Sequence, residues 1–235
     1  MLRLRATFEK SGRAKYISHL DLNRCMLRIF RRSKLPVWYT EGFNPHPYYS
    51  FALALSLGFE SSCEIMDFNI TDDNMSLDVI KDRLNEVMPE GMGIVAIAPQ
   101  IKKITAIAKA EYEFELKSDD VQGMYKAVEE LLSAPEILIE KKTKKGIKTV
   151  DLKPDTEIVK LEIAEGAVRI AMRLPAGTKT NYNPTLFTEA LKKSCEIPFE
   201  MVNIRRTGIL CENNEKFSLK HLHFQKKYGI IIKHL

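Results

Sequence analysis

Apolar and polar side chains alternate along residues 2–8, and this period of two predicts a half-buried strand at the start of the chain. The next segment changes to helical spacing, with apolar positions at Leu22, Cys25, Met26, Ile29 and Phe30. Ser18, with Asp21 three positions later, predicts the first turn of this helix. Pro36 disfavours helical geometry at the residue before it, so we expect the helix to end near Lys34.

The remaining pattern of residues 1–99 predicts further strands and one more helix. We expect the strands at residues 37–40, 48–55, 63–70 and 92–98, and the helix from about Met75 to about Met88. The order is β-α-β-β-α-β, with one additional strand in the middle hairpin, and it predicts a ferredoxin-like domain over residues 1–99.

The same order begins again at residue 110, after a possible linker at residues 99–109. We expect strands at residues 110–117, 137–142, 149–152, 158–163, 167–174 and 198–210, and helices after Asp120 and from Asn183 to about Lys193. The sequence thus predicts an α+β protein of tandem ferredoxin-like repeats, with antiparallel sheets, helices on one face and a groove where the sheets meet. The second repeat covers residues 110–210, and the pattern does not place the C-terminal tail at residues 211–235.

Basic residues are concentrated near the start of the chain. The formal net charge is +5, whereas residues 1–50 contain ten Lys or Arg against three Asp or Glu, a local balance of +7. Such a basic region on a near-neutral body favours a phosphate-bearing partner, although a solvated helix face gives a similar pattern. The residues predicted to hold RNA phosphates are Arg3, Arg5, Arg13, Lys15, Arg24, Arg28, Arg31 and Arg32.

The segment Gly42-Phe43-Asn44-Pro45-His46-Pro47 predicts a stiff turn, because Asn before Pro favours turn initiation and two prolines restrict the backbone. One interpretation is a rigid hairpin connection without further function. The other is a preformed platform on which Phe43 or Tyr48 stacks against a base or a cofactor ring, with Asn44 beside them. The sequence leaves both open.

His19 and His46 are the candidates for proton transfer. A histidine among arginines and tyrosines can act as general acid or base on a ribose–phosphate bond. Each can equally be a hydrogen-bonded structural histidine. A metal site is not predicted, because two histidines lack a third ligand and no carboxylate-rich segment accompanies them.

Several classes of function are disfavoured by the sequence. No apolar run approaches the roughly 20 residues of a membrane span, and the chain opens on a strand pattern rather than a signal segment, so we expect a cytoplasmic protein. The four cysteines form no C-x-x-C pair and predict neither a disulfide framework nor a metal site. No phosphate-binding glycine loop, nucleophile elbow or paired-carboxylate signature is present, and no cofactor is predicted. A lysine cluster at residues 141–148 is typical of a solubilising hairpin tip or of an extended phosphate track.

Residues 15–61 carry a resemblance to a known family through the segments KYISHLDLNR and RRSKLPVWYTEGFNPHPYYSFALALSLGFES. They resemble the radical SAM-linked protein family, an uncharacterised domain found alone or fused behind B12-binding-type radical SAM proteins. The likeness is strongest over residues 2–70 and continues through GIKTVDLKPDTEI, AGTKTNYNPTLFTEAL and NIRRTGIL.

The resemblance implies an accessory to a radical SAM enzyme, with RNA modification as the expected setting. The chain has no C-x-x-x-C-x-x-C motif for the iron–sulfur cluster of that chemistry, so the enzyme is expected to be a separate polypeptide acting in trans. The layout is also similar, at the level of fold alone, to CRISPR RNA-processing endonucleases, and fold analogy does not transfer activity.

Three hypotheses follow. The first is a non-catalytic subunit that binds tRNA or rRNA and positions a base for a radical SAM partner. The second is a metal-independent endoribonuclease that uses His19 or His46. The third is a protein-docking module whose basic face meets an acidic partner.

Overall fold

The computed structural model describes residues 1–143, 146–178 and 180–217. The helices are α1 (His19–Arg32), α2 (Leu77–Asn85), α3 (Val121–Ser133) and α4 (Thr185–Ser194), with short 3-10 turns at Gly12–Tyr16 and Ile104–Ala106. The strands are β1 (Leu2–Lys10), β2 (Tyr49–Phe51), β3 (Glu60–Ile70), β4 (Met92–Pro99), β5 (Ile107–Lys117), β6 (Leu138–Thr143), β7 (Gly146–Asp151), β8 (Glu157–Ala164), β9 (Ala167–Pro175) and β10 (Glu200–Cys211).

One eight-stranded sheet runs through the described residues, in the order β4-β1-β3-β10-β5-β9-β8, with β2 also paired to β3. The expectation of two sheets that meet at a groove is therefore wrong. The two halves join where β10 pairs in parallel with the start of β3, at Arg205↔Glu60 and Arg206↔Ser61. The other pairs of this sheet are antiparallel, which agrees with the predicted α+β class.

Each half contributes four strands in a comparable order, β4-β1-β3-β2 from the first and β10-β5-β9-β8 from the second. The 11-residue strand β3 accommodates both neighbours on one edge, because β10 pairs at Glu60 and Ser61 while β2 pairs at residues 66–68. The β6–β7 hairpin forms a separate two-stranded sheet. The tandem ferredoxin-like architecture and its division at residues 99–110 stay predictions.

The helices pack on one face of the sheet because the inward positions of the strands are apolar. In the first half, Leu4, Ala6 and Phe8 of β1 share a core with the buried residues of α1 and α2. In the second half, Phe114 of β5 lies against Phe187 of α4, with 6.0 Å between ring centroids. A smaller cluster on the opposite face comprises Cys63, Ile65, Ile107, Ile209 and Phe217.

Some elements differ from the expected ones. Residues 37–40 do not form a strand, and Val37 and Tyr39 make only isolated bridges, to Ile70 and Pro47. Prolines have no backbone N–H, so Pro36 and Pro47 leave gaps in any ladder there. The aromatic strand expected at 48–55 is reduced to Tyr49–Phe51.

The predicted linker and tail also take part in the fold. Residues 104–106 form a 3-10 turn, and β5 already begins at Ile107, which is buried. After β10 the chain turns back, and the N–H of Phe217 donates to the carbonyl of Ile209 at 2.7 Å. Residues 218–235, the greater part of the predicted tail, lie outside the described residues. Within the described residues, none of the helices has the length and apolar character that crossing a membrane requires.

Candidate nucleic-acid interface

Helix α1 begins as its sequence predicts. The Ser18 hydroxyl accepts a hydrogen bond from the N–H of Asp21 at 3.1 Å and donates to the Asp21 carboxylate at 2.7 Å. These contacts satisfy one of the backbone N–H groups that a helix start leaves open. The helix ends at Arg32, with Ser33 as its C-cap, and buries one apolar face composed of Leu22, Met26, Ile29 and Phe30.

The opposite face of α1 presents four arginines to solvent. Arg24, Arg28, Arg31 and Arg32 are all exposed and lie within about 100° of the helix circumference. Among the described residues, the last three make no ion pair or hydrogen bond. Four guanidinium groups therefore stand on one surface.

Arg24 has an acidic neighbour, Asp21, whose carboxylate partly neutralises its positive charge. Its Nη1 lies 3.1 Å from Asp21 Oδ1, and both side chains are more than half exposed. The hydrogen bond from Ser18, followed by that from Arg24, lowers the pKa of the Asp21 carboxyl. Exposed pairs of this kind hold together only weakly, so Arg24 can exchange its carboxylate for a phosphate.

The segment 38–48 is a hairpin loop held by its own backbone. The N–H of Thr40 donates to the carbonyl of His46 at 2.9 Å, and the N–H of Tyr48 donates to the carbonyl of Trp38 at 2.9 Å. The rings of Trp38 and Tyr48 meet edge to face, 5.3 Å apart. Phe43 stands at the tip with its side chain fully exposed, at 111% of the reference area. Asn44 is exposed next to it.

The hairpin loop is joined to α1 through Tyr49, the first residue of β2. The Tyr49 hydroxyl donates to the carbonyl of Asn23 at 2.8 Å, and the Tyr49 ring packs 5.5 Å from that of Phe30. Burial raises the pKa of Tyr49, which keeps the hydroxyl protonated as a donor. The aromatic loop and the basic helix thus form one connected surface element.

The turn before α1 adds two more cations to this region. Arg13 is exposed and Lys15 is half-buried, with its Nζ 5.5 Å from the centre of the Tyr16 ring. Tyr16 and Leu20 are themselves about two-thirds exposed. An exposed aromatic side chain beside cations, as Tyr16 is, is a feature of surfaces that bind unpaired bases. The candidate residues predicted from sequence did not include Tyr16, although its position between Lys15 and the helix cap was visible there.

Arg5 and Arg3 do not belong to this surface. Arg5 is 2% exposed, and its guanidinium binds both oxygens of Asp67, at 2.6 and 2.8 Å, with the Phe217 ring 4.5 Å away. It cannot present itself to a polyanion, so its prediction as a phosphate contact is wrong. Arg3 is exposed, but it alternates with the core residue Leu4 and projects from the sheet face opposite α1.

The two histidines have contacts that hold their own segments. The His46 Nδ1 lies 2.9 Å from the carbonyl oxygen of Asn44 and 3.2 Å from the Thr40 hydroxyl. His19 packs edge to face on Phe51, with 5.6 Å between ring centroids. No contact joins either ring to the other or to a carboxylate among the described residues, so no acid–base pair is assembled. The described part of the chain also has no cluster of three or more His, Cys, Asp or Glu able to hold a metal ion.

Lys10 supports the start of α1, a role that the sequence analysis did not predict. It is 1% exposed, and its Nζ donates to the carbonyl of Ile17 at 2.9 Å, just before the cap of α1. Burial lowers the pKa of Lys10, and the charge of Glu64 partly offsets that effect. The signal for its burial was present, because Lys10 is in phase with the inward residues Leu4, Ala6 and Phe8.

These features define an α+β protein with a basic helix and an aromatic hairpin exposed together. The chain belongs to a family described as an uncharacterized protein conserved in bacteria (DUF2344), whose model matches residues 3–184. This is coarser than the expected radical SAM-linked family, and the link to radical SAM proteins stays a prediction. No curated protein matches the chain.

Two solved structures are among those similar to this chain. A chain in the crystal structure of a Cbf5-Nop10-Gar1 complex has 14% identity and a TM-score of 0.48, and the match covers 97% of this chain and 57% of that one. This chain therefore spans little more than half the length of that relative. An unknown protein from Galdieria sulphuraria has 11% identity and a TM-score of 0.26, with 85% and 96% covered. Neither similarity is close enough to carry an argument about function.

Proposed function

We propose that this protein binds RNA, as a non-catalytic accessory subunit of a radical SAM enzyme that modifies tRNA or rRNA. The observation that carries the RNA-binding part is the set of exposed arginines on α1, of which Arg28, Arg31 and Arg32 make no ion pair or hydrogen bond among the described residues. Unpaired guanidinium groups on a rigid helix contact phosphates without first having to break an ion pair.

The hairpin supplies what phosphate contacts lack. Phosphates position a nucleic acid but do not distinguish its bases, whereas an aromatic ring stacks on any unpaired base. Phe43 is fully exposed on a backbone that is already closed by Thr40 and His46, so stacking would cost little ordering of the loop. This combination favours single-stranded or looped RNA over a regular duplex.

The accessory role is supported by the family resemblance and by the chemistry of the chain. The 235 residues contain no cysteine triad for a cluster, so in this proposal the radical step belongs to the partner enzyme. In this proposal the subunit holds the RNA while the partner enzyme acts on a base that the hairpin presents.

RNA binding is tested by measuring the affinity of the full chain for bulk tRNA and for a short single-stranded RNA across a range of salt concentrations. We expect Arg28→Gln with Arg31→Gln to reduce the slope of log affinity against log salt by about 0.7 to 0.9 for each arginine removed. Lys193→Gln removes one exposed positive charge from the last turn of α4 and should leave the slope unchanged. Equal slopes in all variants, or no binding, would contradict the proposal.

The accessory role has its own test. Affinity purification of the protein from its native cells, with and without ribonuclease, is expected to recover a polypeptide that contains a C-x-x-x-C-x-x-C motif. Retention of that polypeptide after ribonuclease treatment indicates direct contact. Recovery of RNA without such a partner would leave the RNA-binding part standing and remove the accessory role.

A further inference from the structure

The face of the sheet that the helices leave open carries a ladder of opposite charges in the second half. Glu111, Glu113 and Glu115 project from β5, and residues 169, 171 and 173 of β9 lie directly opposite them. Arg173 Nε lies 2.8 Å from Glu111, and Arg169 Nη2 lies 4.0 Å from Glu115. The outer two rungs of this ladder are therefore carboxylate–guanidinium pairs.

The middle rung has no cation on β9. Ala171 stands opposite Glu113, which is exposed to solvent and makes no hydrogen bond or ion pair among the described residues. The short side chain leaves a cavity of about 350 Å³ over Ala171, lined among others by Glu113, Glu115, Arg169, Asn203 and Arg205.

The cations of the cavity wall already have other carboxylates. Lys160 pairs with Glu162 at 2.8 Å, and Arg169 pairs with Glu165. Arg205 faces Glu113 in register, yet its guanidinium lies 3.6 Å from the carboxylate of Glu60. With these pairs made, the Glu113 carboxylate is left as an excess negative charge.

The wall also contains an amide acceptor without a donor. Asn203 gives its Nδ2 hydrogen to Glu60 at 3.2 Å, while its Oδ1 is buried and has no partner among the described residues. A buried acceptor without a donor is destabilising. Among the described residues, neither the exposed Glu113 carboxylate nor the buried Asn203 Oδ1 has a hydrogen-bond donor.

We propose that this cavity binds a guanidinium group, supplied by a free arginine-like molecule or by an arginine side chain of a peptide. A planar guanidinium matches a carboxylate with two parallel hydrogen bonds. The neighbouring positions of β9 already hold this same group against glutamates of β5, so the bound group completes the ladder. The inference is independent of RNA binding.

Agmatine and the peptide Gly-Arg-Gly are the probes, with binding followed by NMR shifts of the amides of residues 113 and 171 in the full chain. We expect Glu113→Gln to weaken binding at least about tenfold. Glu200→Gln removes an exposed carboxylate of β10 outside the cavity and should leave binding unchanged. Binding of the peptide but not of agmatine would assign the bound guanidinium to a protein partner. Binding of both probes would support the guanidinium site for both sources.

Substitutions of Ala171 that fill the cavity with a larger side chain give an independent readout. Ala171→Arg should place its own guanidinium against Glu113, abolish binding of both probes and raise the midpoint of thermal unfolding. Ala171→Leu should also abolish binding, because it fills the space, but it should not raise the midpoint. No binding of either probe to the wild type, or binding that survives both Glu113→Gln and Ala171→Arg, would overturn the proposal.

Discussion

The guanidinium of Arg206, in β10, donates to the carboxylate of Glu64, in β3, at 2.8 Å where the two halves of the sheet join. Their side chains are only 4% and 3% exposed. The same guanidinium also donates to the Tyr112 hydroxyl and to the carbonyl of Ala54. Arg206 therefore makes these hydrogen bonds at the junction of the two halves, where β10 and β3 pair in parallel over only two residue pairs.

Removing Arg206 should strongly destabilise the protein, because Glu64 would stay buried without a counter-charge. We expect Arg206→Met to lower the free energy of unfolding in urea by about 3–5 kcal/mol. Arg206→Met with Glu64→Met should recover part of this loss, since no charge is then left unpaired. The adjacent Arg205, whose side chain is 44% exposed, is the control, and Arg205→Met should cost about 1 kcal/mol or less. Similar losses for Arg205→Met and Arg206→Met would contradict this account of the junction.

Arg5 provides a test that separates folding from binding. Arg5→Gln breaks the buried pair with Asp67, and we expect a loss of roughly 3 kcal/mol in the free energy of unfolding. The affinity of the folded protein for RNA should not change, because Arg5 is inaccessible. If the affinity for RNA were weakened at a temperature where the variant is fully folded, Arg5 would have to be part of the RNA-binding surface.

Substitution of Phe43 should change the affinity for RNA but not the stability, which is the reverse of the effect expected for Arg5. Since its side chain is fully exposed, Phe43→Ala should change the free energy of unfolding by no more than about 0.5 kcal/mol. Its affinity for single-stranded RNA should fall by about 1–3 kcal/mol, with a smaller effect on duplex RNA. Phe43→Trp is the conservative control and should retain binding. An unchanged affinity of Phe43→Ala would reduce the hairpin to a structural connection.

Cys63 makes stability dependent on pH in the alkaline range. Burial raises the pKa of its thiol from 9.0 to about 12. Between these values the unfolded chain releases a proton that the folded chain keeps, so the free energy of unfolding falls as the pH rises. Cys63→Ala should show a shallower fall between pH 9 and pH 11 than the wild type when urea unfolding is measured at each pH. Parallel curves would show that the thiol does not contribute.

Helix α1 could be predicted from the sequence because its determinants are local. The cap at Ser18 and the spacing of Leu22, Met26 and Ile29 lie within a few turns of one another. The strand expected at residues 37–40 fails for a local reason too, since Pro36 and Pro47 cannot donate to a ladder. Both outcomes rest on interactions between near neighbours in the chain.

The junction and the charge ladder could not be predicted, because their partners are distant in the sequence. Arg206 meets Glu64 across 142 positions, and the parallel pairing of β3 with β10 has no periodic signal of its own. Arg5 was assigned to the surface from its charge and its polar position in an alternating strand. Its actual partner, Asp67, lies on the neighbouring strand and covers the face that alternation would leave open to solvent.

The most direct test of RNA docking beside the hairpin is photocrosslinking of the protein to RNA in its native cells, followed by mass spectrometry of the crosslinked peptides. We predict crosslinks within residues 13–32 and 38–48, which contain the basic turn, α1 and the hairpin tip. Recovery of the protein without crosslinked RNA would contradict the claim that RNA docks beside the hairpin. Crosslinks confined to the charged sheet face at residues 157–175 would also contradict it.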